Sequence, residues 1–282
     1  AVNPSDGSLI WETLIKDSFP FQLDTAAKGI TYNSEKRKSI FVPTNQGIVE
    51  INEENGEILN HFYAGPTAVP PVVHGNKIII ATRWDGVKAY DLNNKMLLWQ
   101  IETTKNGYSS HIWSGFSYNK ELEIAFVVTG SSGGVTGWYR NDPNLDNTIL
   151  AIDTKKGQLK WSFQHIDHDL WDLDIVGNPM TFKVNIEGNL VHAVVALTKT
   201  GDVIYLNAIS GNPIFQDSFE NVRVPISDVP NEKSAQYQKK FIKPQPFTST
   251  YIDIDKEFSH LSGENLEYVK KKIRRSKSRS EE

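Results

Sequence analysis

Short apolar runs separated by turn residues dominate the first four-fifths of this chain. Lys38–Val42, Lys77–Thr82, Glu123–Thr129, Val191–Leu197 and Val203–Leu206 alternate or run continuously apolar over strand-like lengths, which predicts half-buried and fully buried strands. Asn55-Gly56, His74-Gly75-Asn76 and Glu187-Gly188-Asn189 punctuate them, and such residues supply the backbone geometry of tight turns. No long amphipathic helical period occurs before about residue 225. The pattern is all-β.

A repeat underlies it. Five segments share small/apolar-x-Asp/Asn-x-x-x-Gly-x-x-x-aromatic: Ala1, Asn3, Gly7 and Trp11; Asn52 and Gly56; Ala89, Asp91 and Trp99; Ala151, Asp153, Gly157 and Trp161; Asn207, Gly211 and Phe215. The second copy has Asn60 where the aromatic is expected, and the third has Lys95 where the Gly is expected. Asp/Asn closes an Asx-type turn, Gly takes the positive-φ position, and the aromatic starts the return strand. Recurrence at blade-sized intervals points to a repeat architecture.

Beyond this the pattern changes. Residues 222–250 read as an irregular Pro- and Lys-containing segment, and Ser262-Gly263-Glu264 opens an expected helix with Leu266, Val269 and Ile273 on one face. Lys270, Lys271, Lys272, Arg274, Arg275, Lys277 and Arg279 follow; a solvated face or the cut end of a longer chain is preferred over a nucleic-acid or lipid-binding tail. The expected division is residues 1–250 and 251–282.

Composition narrows the function classes. Thirty basic and 34 acidic residues leave a net charge of -4, which gives no reason to expect nucleic acid or an anionic membrane surface. The absence of cysteine removes disulfides, thiolate metal sites and cysteine nucleophiles. No apolar run reaches membrane-spanning length. The chain opens AVNPSDG, without an initiating Met or signal peptide, so it is expected to be a processed form or to lack its beginning.

Candidate chemistry concentrates in the loop Gln164–Asp174, which holds His165, His168 and the carboxylates of Asp167, Asp169, Asp172 and Asp174. A zinc reading lacks the helical spacing and further ligands such sites use; a polar loop whose carboxylates bond turn backbone is the plainer alternative. Trp113 sits among small residues, either as a core indole or as a flat floor for a planar ligand. Lys199 lies in Thr198-Lys199-Thr200-Gly201, either as a solvated turn lysine or as one that the next hairpin brings back to the rim carrying Asp172. Gly130–Gly137 lacks the following helix of a phosphate-binding loop.

Taken together, several motifs resemble the PQQ-dependent quinoprotein dehydrogenases. They are the repeat endings, Trp113-Ser114-Gly115 with its strand to Thr129-Gly130, and Trp161-x-Phe163-Gln164-x-x-x-His168-Asp169-x-Trp171-Asp172-x-Asp174. Thr198-Lys199-x-Gly201, Gly211-x-Pro213 and Val224-Pro225-x-Ser227-Asp228-Val229-Pro230 add to them. Lys243-Pro244-x-Pro246-Phe247 and the lack of cysteine favour the membrane-linked glucose/quinate branch over the methanol/ethanol branch. The resemblance implies an all-β, eight-bladed β-propeller of which this chain holds about five blades. It also implies PQQ on the axis, a divalent cation (Ca²⁺ or Mg²⁺) beside it, and oxidation of a sugar or polyol. Electrons then pass to a quinone or cytochrome, in the periplasm, with membrane association supplied by segments outside this chain.

Residue roles are implied where motifs match. Asp172 corresponds to the catalytic base and a cation ligand, Trp113 to the indole under the cofactor, and Lys199 to the cation at the quinone oxygens. Thr67 and Thr82 fall in stretches that supply hydroxyls to the cofactor. Ser131 stands where the alcohol branch has a metal-binding Asn, and Arg83-Trp84-Asp85-Gly86 replaces a longer loop with an acidic cation ligand. A non-enzymatic propeller scaffold, or an inactive truncated quinoprotein, are the rival expectations.

Overall fold

The computed structural model describes residues 1–15, 27–34, 37–105, 108–131, 145–224, 230, 233–247, 256 and 258–281. Its strands form antiparallel meanders in chain order. The first sheet is β1 (Thr31–Asn33), β2 (Ser39–Thr44), β3 (Gly47–Asn52) and β4 (Ile58–Tyr63). The second is β5 (Val72–His74), β6 (Lys77–Ala81), β7 (Val87–Asp91) and β8 (Leu97–Ile101). A short pair, β9 (Thr104–Lys105) and β10 (Tyr108–Ser109), leads to the third: β11 (Phe116–Asn119), β12 (Ile124–Val128), β13 (Thr148–Asp153) and β14 (Gln158–Gln164). The fourth contains β15 (Ile175–Ile186), β16 (Asn189–Thr198) and β17 (Val203–Asn207), with Pro213 bridging Leu206 in the outer position.

These sheets stack face to face, and the sequence of each middle strand shows why. In β6, Ile78 and Ile80 join Phe41, Ile48 and Phe62 of the first sheet, while Ile79 and Ala81 join Ala125, Val127 and Leu150 of the third. In β12, Ile124, Phe126 and Val128 face the other way, onto Val194, Ala196, Ile204 and Leu206. Side chains alternate across a strand, so one buried on both faces reads as a continuous apolar run. This is the blade-on-blade packing of a β-propeller.

All five repeat endings make the turn their residues predict. Asn3, Asn52, Asp91, Asp153 and Asn207 each accept a backbone N–H two residues on through Oδ1. Gly7, Gly56, Gly157 and Gly211 take φ of 73°, 75°, 64° and 75°, and Lys95 adopts 63° at the third. The aromatic then links neighbouring blades. Trp11 Nε1 donates to Glu53 O at 2.9 Å, Trp99 Nε1 to Thr154 O at 3.1 Å, and Trp161 Nε1 to Ala208 O at 3.2 Å. Each indole covers the Gly of the next ending, where an added Cβ would overlap the ring.

The two departures from the repeat explain each other. Asn60 brings no indole to the third ending, and Lys95 occupies the positive-φ position there at 63°. A polar link replaces the docking. Fully buried Glu50 accepts from Ser39 Oγ at 2.8 Å, Asn60 Nδ2 at 2.6 Å and Arg37 Nη1 at 3.2 Å. Arg37 Nη2 reaches Asn93 Oδ1 of the next blade, and a cleft of about 450 Å³ lies beside Asn60 and Lys95.

The irregular reading of residues 222–250 misses a hairpin, β18 (Phe219–Arg223) with β19 (Tyr237–Phe241). Within β19 only Phe241 is buried, so Tyr-Gln-Lys-Lys-Phe shows no strand alternation. The expected helix is α1 (Gly263–Glu281), on which Leu266 and Val269 are half-buried; the Ile273 side chain lies outside the described ones. Residues 132–137 of the Gly-rich stretch and 225–229 of the Pro-containing motif also lie outside the description.

Candidate functional site

A meander places its connections at two ends. The turns between third and fourth strands, which carry the repeat endings, lie at one end. The turns between second and third strands and the crossovers between blades lie at the other. Trp113, Asp172 and Asp174 occupy crossovers, and Thr82, Ser131 and Lys199 follow second strands. The topology therefore gathers these residues on the end opposite the repeat endings.

Lys199 is the hub. Its Nζ donates to Asp172 Oδ2 and to the Asp172 carbonyl, both at 2.8 Å, and to Asp174 Oδ2 at 3.0 Å. Its backbone N–H also donates to Asp174 O. Burial alone would lower the Lys199 pKa, but the hydrogen bonds to Asp172 and Asp174 more than offset it, leaving it above 10.5. Burial raises Asp174 above the ordinary carboxylate value, although Lys199 and the Ser131 N–H oppose the rise. Asp172 itself is partly open to solvent and takes φ of 60°, a left-handed conformation that costs a non-glycine residue free energy.

A buried network holds the Asp172 loop in that shape. Asp169 accepts Trp171 N–H at 2.8 Å and Leu173 N–H at 2.6 Å, on either side of Asp172. It also accepts Ser131 Oγ at 2.9 Å and Asn147 Nδ2 at 2.8 Å. His165 is buried against Asp202 Oδ2 at 3.0 Å, under the hairpin carrying Lys199. Among the described residues no three His, Asp or Glu converge as a metal cluster.

The threonines stand differently. Thr67 Oγ1 donates to Ala81 O at 2.6 Å and Thr82 Oγ1 to Gly86 O at 2.9 Å. Both hydroxyl protons go to main chain, fixing the ends of neighbouring strands.

One residue invisible in the sequence reading enters here. Lys28, in the segment leading to β1, places Nζ 3.8 Å from the centroid of the Trp113 ring, and Lys199 Nζ lies 5.5 Å from it. The Lys28 N–H is tied to Ala68 O at 2.8 Å. Burial and then the Arg83 guanidinium lower the Lys28 pKa, and Asp174 opposes them. Gly130 completes the surround, for a Cβ there would meet Trp113 Nε1 and Asp174 Oδ1. No motif marks Lys28, which lies 85 residues before the indole it covers.

An indole face with two ammonium groups above it fits a planar, anionic quinone such as PQQ. The same residues do not fit a divalent cation. Asp172 and Asp174 share the Lys199 ammonium, Ser131 Oγ is committed to Asp169, and Arg83 stands in the shortened loop after Thr82. Such ions take several oxygen ligands free of competing cations.

Known proteins agree with this architecture. The family model described as "PQQ: Glucose/ethanol/alcohol dehydrogenase, beta-propeller domain" matches residues 83–280. Quinoprotein glucose dehydrogenase A of Acinetobacter calcoaceticus is 28% identical over 75% of this chain and 32% of its own length. Quinate/shikimate dehydrogenase (quinone) of Acinetobacter baylyi is 25% identical over 74% of this chain and 29% of its own. This chain thus spans about a third of those relatives. In fold it is similar to quinohemoprotein alcohol dehydrogenase from Comamonas testosteroni, with a TM-score of 0.57 at 18% identity, covering 77% of this chain and 38% of that one. The family match over residues 83–280, together with stacked blades that carry Trp113, Asp172 and Lys199 at one end, places this chain in the family of PQQ glucose/ethanol/alcohol dehydrogenase β-propellers.

Proposed function

We propose that residues 1–250 are part of the propeller of a PQQ-dependent dehydrogenase that oxidises a sugar or polyol hydroxyl and passes electrons to a quinone or cytochrome. Export to the periplasm belongs to the same reading. The supporting observation is the Lys199 ammonium held between Asp172 and Asp174 while facing the Trp113 ring.

PQQ, when bound, supplies the two-electron acceptor for a hydride. Trp113 offers it a stacking face. Asp172, partly solvent-open and fixed at its left-handed backbone position, takes the proton of the substrate hydroxyl as general base. Lys199 orients that carboxylate and keeps positive charge where negative charge develops on the reduced quinone. Asp169 holds the loop so that Asp172 need not reorganise.

The test is dye reduction by the whole protein reconstituted with PQQ over a panel of polyols and sugars. Asp172→Asn is expected to lower kcat by about 10²–10⁴-fold while leaving quinone binding in place. Equal turnover by both proteins across the panel would remove Asp172 from the chemistry.

A further inference from the structure

We propose that Lys28 is the built-in cation of this site, its ammonium providing the positive charge that lets an anionic quinone bind without a divalent metal. The proposal rests on the functional reading above and concerns the same site.

Position comes first. Lys28 is exposed, but its main chain is held in place. Its N–H donates to Ala68 O in the neighbouring crossover, and a Cβ at Gly29, which takes φ 145°, would crowd Pro70 Cγ. That anchorage directs the side chain onto Trp113, with Nζ 3.8 Å from the ring centroid. An ammonium on an indole face is attracted by the ring quadrupole, so the cation is stored there before any ligand arrives. A planar anion stacking on Trp113 would compete with Nζ for that face, and the ammonium so released would be available to pair with a ligand carboxylate.

Charge comes second. A divalent ion beside Asp172 would meet the Lys199 ammonium, already 2.8 Å from the same carboxylate. It would also have to take Asp174 from Lys199 and the Ser131 N–H. Arg83 adds a third positive group, in the shortened loop where the resembled family carries an acidic ligand. Its buried Nε–H has no acceptor among the described residues, an unsatisfied donor that suits an anion and repels a metal ion. The two carboxylates that would draw a cation, Asp172 and Asp174, are spent on Lys199, and Lys28 takes the charge role.

Equilibrium binding of PQQ to the whole protein, read by tryptophan fluorescence quenching, separates the possibilities. After dialysis against EDTA the wild type is expected to bind with the same Kd as in millimolar Ca²⁺, within about twofold. Lys28→Gln should weaken binding about tenfold or more under both conditions, the scale of one charge-assisted contact, and Lys28→Arg should restore it. Circular dichroism melts check that the variants fold. A Kd that tightens tenfold on adding Ca²⁺, or a Lys28→Gln protein binding like wild type, overturns the proposal while leaving the quinone reading intact. Saturable Tb³⁺ luminescence sensitised by tryptophan and abolished in Asp172→Asn also overturns it. Failure of PQQ to bind under either condition removes the functional reading and this proposal with it.

Discussion

At the scale of single residues, Asp169 and Lys199 decide whether Asp172 is in place. Asp169 receives four donors, two of them the N–H groups flanking Asp172. Asp169→Ala strands those donors, and leaving buried polar groups unsatisfied costs about 1–3 kcal/mol. A urea midpoint unchanged by the substitution would contradict the positioning role. Lys199 has a folded pKa raised above 10.5. Its pairing therefore stabilises the fold fully below pH 10.5 and is lost as the pH rises through the folded value. The ammonium is a third exposed, so the effect is small. Denaturant midpoints at successive alkaline pH values should fall more steeply for wild type than for Lys199→Met. Parallel curves would exclude it. Asp172, Lys199 and Trp113 were legible because each lies in a motif with recognisable neighbours. Lys28 and the partners of Asp169 were not, because contacts across tens of residues depend on how crossovers stack, and one sequence carries no sign of that.

At the scale of the element, the repeat ending was readable to the turn: Asx acceptor, positive-φ residue and aromatic all sit where the pattern puts them. What the pattern concealed was that the aromatic belongs to the next blade. Trp161 lies on Gly211, whose φ of 75° and missing Cβ serve the indole as much as the turn. Gly211→Ala is expected to destabilise by both overlap and backbone strain, about 1–3 kcal/mol. In a Trp161→Ala background only the strain remains, so the double mutant should be more stable than the sum of the single losses by about 1 kcal/mol or more. Additive chemical-denaturation values would disprove the docking as an energetic unit. The native chain holds a natural version of this experiment, since Asn60 and Lys95 lose the indole and the glycine together. Strand β19 was illegible for the opposite reason: it buries one side chain in five, so its alternation is too weak to separate from an irregular segment.

At the scale of the molecule, stacking each blade on the next covers both faces of the middle sheets but leaves the outer units half-clothed. Val2, Leu9, Ile10 and Leu14 are exposed in the first unit, and Phe215, Tyr237, Ile242 and Phe247 near the last blade. Blades that depend on neighbours for a core lose stability wherever a neighbour is missing, and contiguous exposed apolar surface promotes association. The span of about a third of its relatives' length makes the consequence testable. Residues 1–282 expressed alone are expected to bind an apolar dye and to self-associate with rising concentration in light scattering. A longer form that continues the blades on either side should stay monodisperse and melt at a higher temperature, because the same side chains then pack against a further sheet. If the isolated span is monomeric, dye-silent and equally stable, its outer faces are self-sufficient.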